Sequence, residues 1–179
     1  MERLPMQSVA MDFQQFLTSQ NSAVLATLDT NQLPNASYAP YLWHDGKLYI
    51  YVSELAKHTG NLFVRPGLSV MVIEDEKTCQ NIFARKRATL MATAKPIDRQ
   101  HPNWADLMHH YVSHHGETAL HLQNLKDFHL FELEVLSATF VRGFAQAYTL
   151  NGDALNEVKH MNDRGHGQSS RHLTDAQAS

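Results

Sequence analysis

An antiparallel β-barrel with helices inserted between its strands is the fold class this sequence predicts, and three observations predict it. Residues 126–135 and 139–148 read as two long strands joined by a short turn, because His129, Phe131, Leu133 and Val135 alternate with Leu130, Glu132 and Glu134. Asp45-Gly46 is a tight-hairpin signal, followed by Leu48, Ile50 and Val52 alternating with Tyr49 and Tyr51. Six or seven such strands, joined mainly by hairpins, close or nearly close into a barrel that is mainly β with flanking helices.

Residues 10–19 carry Phe13, Phe16 and Leu17 at helical spacing, with Asp12 in the first turn, which predicts a short amphipathic helix over one end of the sheet. Residues 22–28 and 36–43 form a hairpin across the turn residues 29–34, and the run after Asp45-Gly46 supplies a third strand. Residues 54–64 place Leu55, His58 and Leu62 on one helical face before Pro66-Gly67 stops the helix, which predicts a cap across a barrel opening. Residues 68–73 are nearly all apolar and read as a central strand, ending in the acidic turn Glu74-Asp75-Glu76.

Residues 81–94 alternate Ile82, Ala84, Ala88, Leu90 and Ala92 against Phe83, Arg85, Arg87, Thr89 and Met91, which predicts one long strand whose arginine face needs a partner. Trp104, Leu107, Met108 and Tyr111 mark a helix over 102–111 that Gly116 ends, and Ala119, Leu122 and Leu125 begin a shorter helical piece. Gly143, inside the last predicted strand, marks a bulge or a close approach of another backbone or a flat ligand. Asn151-Gly152 is a further turn, and beyond His160 almost nothing is available to bury. The expected organisation is a single domain over residues 1–160 with a polar tail over 161–179.

The chain has 179 residues, 43% of them hydrophobic, which suits one domain with a sizeable core. A net charge of -3 gives no electrostatic case for nucleic acid or a membrane surface as partner. The start, Met1-Glu2-Arg3-Leu4-Pro5, has no apolar leader core, and the single Cys79 allows no internal disulfide, so a cytoplasmic protein is expected. Histidine is the outlier at 12 residues. His110 and His114 stand four apart on the predicted helix with His121 nearby, a spacing that can grip zinc or nickel. No HExxH pattern accompanies them, and the reading preferred is a solvated helix face.

Five further strings carry a family resemblance. They are SYAP at 37–40, LAKHTGNL at 55–62, IEDE at 73–76, FARKRAT at 83–89, and KDFHLFELEV at 126–135 followed by FVRGFAQAY at 140–148. In this order they resemble the HutZ/HugZ-type haem-utilisation proteins of the pyridoxamine 5′-phosphate oxidase-like, FMN-binding split-barrel group, from about Ser22 to His166. The resemblance implies an antiparallel split barrel that dimerises through a broad face, with two ligand sites between subunits.

The same resemblance implies haem as both substrate and cofactor in iron acquisition, with O2-dependent opening of the macrocycle to a biliverdin-type product, release of iron, and an external electron donor. It assigns the axial iron ligand to His166 in Arg164-Gly165-His166-Gly167, between glycines that let an imidazole approach a macrocycle face. His160 is the substitute, because the spacer at 161–165 is slightly longer than the family's, and His172 is a more remote one. Asp127 of the partner subunit matches the aspartate that accepts a hydrogen bond from the ligand's other ring nitrogen, which raises the basicity of the ligating nitrogen. Arg87 matches an arginine near the haem, and Arg85 is a second guanidinium able to pair with propionate or phosphate oxygens. His58 and Ser22 match positions near the site. Two alternatives stand beside this reading: a haem carrier or storage protein without catalysis, and an FMN-binding flavoprotein oxidoreductase with Lys57, Arg65, Arg85 and Lys86 as phosphate candidates.

Overall fold

The computed structural model describes residues 6–161. In those residues the chain runs α1 (Met6–Ser19), β1 (Ser22–Leu28), β2 (Pro34–His44), β3 (Lys47–Ser53), α2 (Lys57–Val64), β4 (Gly67–Ile73) and β5 (Arg87–Ile97). It continues with α3 (Trp104–His115), α4 (Glu117–Leu122), β6 (Phe128–Gly143), β7 (Gln146–Asn151) and β8 (Glu157–His160). The strands form one antiparallel sheet in the order β3-β2-β1-β4-β5-β6-β7-β8, and β3 also pairs with β6. That last pairing closes six strands into a barrel and leaves β7 and β8 as an extension.

The split arises within β6. Its first part, Phe128 to Leu133, pairs with β3, while Ala138 to Gly143 pairs on the same edge with β7, and β5 runs along the other edge. Two strands and a turn at 136–138 were the sequence expectation; the structure has one strand of 16 residues there. Met91 faces Ser137 but Ala92 faces Val135, so Leu136 is an extra residue bulged out of the ladder. A bulge shifts inward-facing parity by one, just as a turn can. The core set Phe131 and Leu133 therefore becomes Ala138 and Phe140. The reversal itself lies at Phe144-Ala145, where Ala145 takes φ 57°. The ladder also shifts register between Val141 and Gly143, in keeping with the irregularity expected at that glycine.

Residues 81–94 are likewise not one strand. Ile82–Ala84 is a 3₁₀ turn in which the Asn81 side chain accepts from the Phe83 amide, and Phe83 is exposed. Local side-chain capping outcompetes the ladder there. Leu55 also departs from expectation: it precedes α2 and is 93% exposed, while His58, Thr59, Asn61 and Leu62 form the buried face of that helix. Strand β8 had no sequence forecast.

Helix α1 buries Val9, Phe13, Phe16 and Leu17 in the barrel core. Phe13 meets Phe140 edge-on at 5.5 Å between ring centroids, and the Tyr41 hydroxyl donates to the Leu17 carbonyl at 2.6 Å. Asp12 on the same helix accepts from Lys86 Nζ at 2.7 Å and from Arg142 Nε. Burial pushes the Asp12 carboxyl up, but those two cations outweigh it and hold it below the usual carboxylate range. Helices α3 and α4 cover the barrel's outside, packing Leu107, Met108, Tyr111 and Ala119 on Leu42, Tyr49, Tyr51 and Leu130. Both faces of β3 are therefore buried. Among the described residues no helix is long and apolar enough to cross a membrane.

Candidate functional site

Asp127 lies just before β6, where the strand leaves its partner β3. Ser53, the last residue of β3, donates its hydroxyl to Asp127 Oδ2 at 2.8 Å and accepts the Leu55 amide at 3.1 Å. The Glu54 amide donates to the Asp127 carbonyl at 2.8 Å, and Thr59 Oγ1 at the start of α2 donates to the Ser53 carbonyl at 2.6 Å. The Glu54 carboxylate in turn stands 2.7 Å from His129 Nε2. Asp127 is thus fixed by backbone and side chain together, and its Oδ1 takes no hydrogen bond among the described residues. One ordered, available carboxylate edge is the acceptor a metal-bound imidazole needs on its far ring nitrogen. To that extent the donor set fits a haem whose iron is held by histidine.

His58 is buried at the amino end of α2, next to Thr59. Its Nδ1 is 3.0 Å from Ser37 Oγ, while Nε2 is buried without a partner among the described residues. Burial lowers its pKa below the ordinary 6.5, so the ring is held neutral.

Ser22 and Arg87 lie elsewhere. Arg87 begins β5 opposite Val141 and Ile73, and makes one hydrogen bond among the described residues, from Nη1 to the Arg85 carbonyl at 3.0 Å. The β1–β4 register pairs Val24 with Met71, which brings Ser22 level with Ile73 and two strands from Arg87, about 10 Å away on the same outward face. Asp127 is at the far end of the same ladder, because Ile97 at the other end of β5 faces Leu130. From Arg87 to Ile97 the rise is roughly 3.3 Å per residue, or about 33 Å in all. Within one chain, Arg87 and Asp127 therefore stand at opposite ends of the β5–β6 ladder rather than side by side.

The phosphate candidates do not converge. Lys57 pairs with Asp29 at 3.3 Å, and Arg65 donates to the carbonyls of Asp29 and Thr30, all at the β1–β2 turn. Arg85 donates to the Glu74 carbonyl and reaches the Glu76 carboxylate at 3.5 Å, while Lys86 is engaged by Asp12. Lys57 and Arg65 hold the β1–β2 turn, Arg85 the loop after β4, and Lys86 helix α1. Arg85 is a loop clamp beside Arg87 rather than its companion on a strand face.

His110 stacks on His44 with centroids 4.0 Å apart, and His121 pairs with Glu117 at 3.6 Å on its own helix. Among the described residues no group of three or more His, Cys, Asp or Glu side chains could hold a metal ion. His160 ends β8 with Nε2 3.2 Å from the Ala145 carbonyl and its ring edge-on to Tyr148. His166 and His172 lie outside the described residues.

A cavity of about 300 Å³ is lined by Phe63, Arg99, Trp104, His129 and the two sequence neighbours of Asp127, Lys126 and Phe128. Arg99 is committed to the fold, lying over Trp104 at 5.0 Å and donating to Tyr51 Oη at 3.0 Å. On the outside of the barrel two rows cross β1, β4, β5 and β6: Val24, Met71, Thr89, Thr139, and Ala26, Ser69, Met91, Ser137. None carries a charge, and Met91 is 51% exposed.

The sequence points to Asp127 as a site residue but not to Ser53 or Glu54, which hold it. Ser53 and Asp127 are 74 residues apart, so only the β3–β6 pairing reveals the contact.

Residues 11–142 match the pyridoxamine 5′-phosphate oxidase family model. Heme oxygenase HutZ of Vibrio cholerae serotype O1 is 36% identical over 155 residues, which cover 87% of this chain and 88% of that protein. The crystal structure of Campylobacter jejuni ChuZ superposes with a TM-score of 0.84 at 28% identity, covering 95% of this chain and 69% of ChuZ. A crystal structure of Vibrio cholerae HutZ, described as a haem storage protein, gives a TM-score of 0.66 at 33% identity, covering 74% of this chain and 91% of that one. The chain belongs to the pyridoxamine 5′-phosphate oxidase-like split-barrel family and is homologous to the HutZ and ChuZ haem-utilisation proteins.

Proposed function

We propose that two copies of this chain bind haem between them and, supplied with O2 and an external electron donor, open it oxidatively to a biliverdin-type product with release of iron. The observation that carries the reading is the Asp127 carboxylate, held through one oxygen by Ser53 and presenting the other. The placement of Asp127 and Arg87 at opposite ends of the β5–β6 ladder supports a site assembled from two protomers. The uncharged rows on the outer sheet face support a second copy as the partner, since closed two-fold dimers are the commonest soluble assemblies and bury such faces.

In this reading His166 of one protomer is the iron ligand, with His160 as the substitute, and Asp127 of the other accepts the ligand ring's far N–H. Arg87 pairs its guanidinium with a propionate, and Ser22, in the same row, offers a hydroxyl near it. His58 is a neutral, buried imidazole whose Nε2 can meet a polar group without introducing charge. The haem supplies the oxygen chemistry; the protein positions it and excludes competing reactions.

A second reading is a haem carrier or storage protein with the same ligands and no turnover, and the description of the HutZ crystal structure favours it. A flavoprotein remains the reading that the family's name suggests. Haemin titration of the purified protein separates haem from flavin: a Soret band supports haem, and a yellow protein as isolated supports FMN. Ascorbate in air with catalase present then separates enzyme from carrier, because only an enzyme loses the Soret band. Replacing His166 with Ala removes the bound-haem spectrum if it is the ligand, and an unchanged spectrum moves the ligand to His160 or elsewhere.

A further inference from the structure

We infer that Ser53 is a positioning residue for this site: its hydroxyl, held between the Leu55 amide and Asp127 Oδ2, sets the direction in which Asp127 offers its other oxygen. The inference rests on the proposed haem reading.

Three contacts make Ser53 more than a strand-end serine. Its Oγ accepts the Leu55 amide at 3.1 Å, which leaves the hydroxyl proton to be donated, and the donation goes to Asp127 Oδ2 at 2.8 Å. Its carbonyl accepts from Thr59 Oγ1 at 2.6 Å, so α2 holds the same residue from the other side. The neighbouring Glu54 amide fixes the Asp127 carbonyl at 2.8 Å. The backbone of Asp127 is thereby anchored independently of the Ser53 side chain, and the serine hydroxyl acts on the rotation of the carboxylate.

Removing the hydroxyl has two opposed effects on Asp127. The carboxylate loses a donor, which strengthens its remaining oxygen as an acceptor, and it gains rotational freedom, which weakens any directed bond. Asp127 is half-buried, so water can replace the lost donor, but water does not replace the lost orientation. The orientational effect therefore prevails, and the iron-ligating imidazole of the proposed site is held less firmly.

The test is resonance Raman of the ferrous haem-loaded dimer, which reads the iron–imidazole stretching band directly and does not depend on turnover. Parent, D127N, S53A, S53T and S53V are compared, the last two being matched in shape and differing in the hydroxyl. The expected result is a band lowered in D127N, lowered part of the way in S53A and S53V, and restored to the parent position in S53T. Haemin affinity should change less than tenfold in S53A. A parent-like band in S53V beside a lowered band in D127N would overturn the role of Ser53 while leaving that of Asp127 intact. A band raised in S53V would overturn it too, since acceptor strength would then outweigh orientation. An unshifted band in D127N would sink the reading of Asp127 itself, and the inference with it.

Discussion

Arg87 and Asp127 stand at opposite ends of the β5–β6 ladder, Arg87 facing Val141 and Asp127 preceding the segment in which Leu130 faces Ile97. In the proposed dimer a flat ligand that uses both lies between two protomers. The uncharged outer face between them is the surface on which the proposed dimer forms.

Met91 is half-exposed at the centre of the uncharged rows, beside Ser69 and Ser137. A lysine there would bury an unpaired charge in the proposed dimer, a severe penalty with no partner to offset it. M91K should therefore run as a monomer in light scattering and lose tight haemin binding. A dimer of parent mass with unchanged affinity would place the interface on another surface.

Phe140 ties α1 to the barrel through Phe13 and Phe16, with its own side chain fully buried. Truncation to Ala removes that contact and leaves a cavity, at a cost of about 3–5 kcal/mol. Denaturant melts should show the loss with an unchanged slope. A loss below about 1 kcal/mol would mean that α1 is not integral to the core.

Asp12 bridges Lys86, just before β5, and Arg142 of β6. D12N removes the charge that both cations face, and stability should fall by about 1–3 kcal/mol. A double-mutant cycle with Lys86→Met should show coupling, since the two are in contact. Strict additivity would assign the contact no energetic role.

His58 and His115 are both shifted below the ordinary 6.5 by burial, in His115 against the opposing pull of its hydrogen bond to the Tyr41 carbonyl. In the window between 6.5 and the folded values, the unfolded chain binds more protons than the native one. Stability is accordingly full above 6.5 and falls as pH drops through that window. The melting temperature should decrease between about pH 7.5 and about pH 5.5, and the H58Q/H115Q double variant should lose part of that slope. An identical slope in the variant would assign the pH dependence to other groups.

Much of the barrel is legible in the sequence because its strands advertise themselves locally. Asp45-Gly46 adopts the left-handed pair of angles, φ 50° and 74°, that a two-residue hairpin requires, and Gly116 ends α3 at φ 76°. What local pattern cannot distinguish is a turn from a bulge: the parity change around Leu136 fits both, and only the pairing of β6 with β5 on either side of it decides. The site shows the same limit. Asp127, Arg87 and His58 could be matched to a family by their surrounding strings, whereas the hold of Ser53 on Asp127 depends on a strand pairing across 74 residues. The strand expected over 81–94 is present from Arg87 on as β5, and only its first part departs, for a local reason: the Asn81 side chain supplies the Phe83 amide with the acceptor a neighbouring strand would have offered.

The most direct measurement is haem content in a mixed dimer. Asp127→Lys and Arg87→Glu each place the wrong charge in the proposed site, so neither variant alone should bind haem tightly. Co-expressed with different tags and purified through both, the heterodimer has one site carrying both defects and one carrying neither, if each site takes Asp127 and Arg87 from opposite protomers. Haemin titration should then give half the parent's Soret amplitude at parent affinity. A heterodimer that binds no haem would show that the two residues do not serve a site shared across the subunits, and would contradict the account.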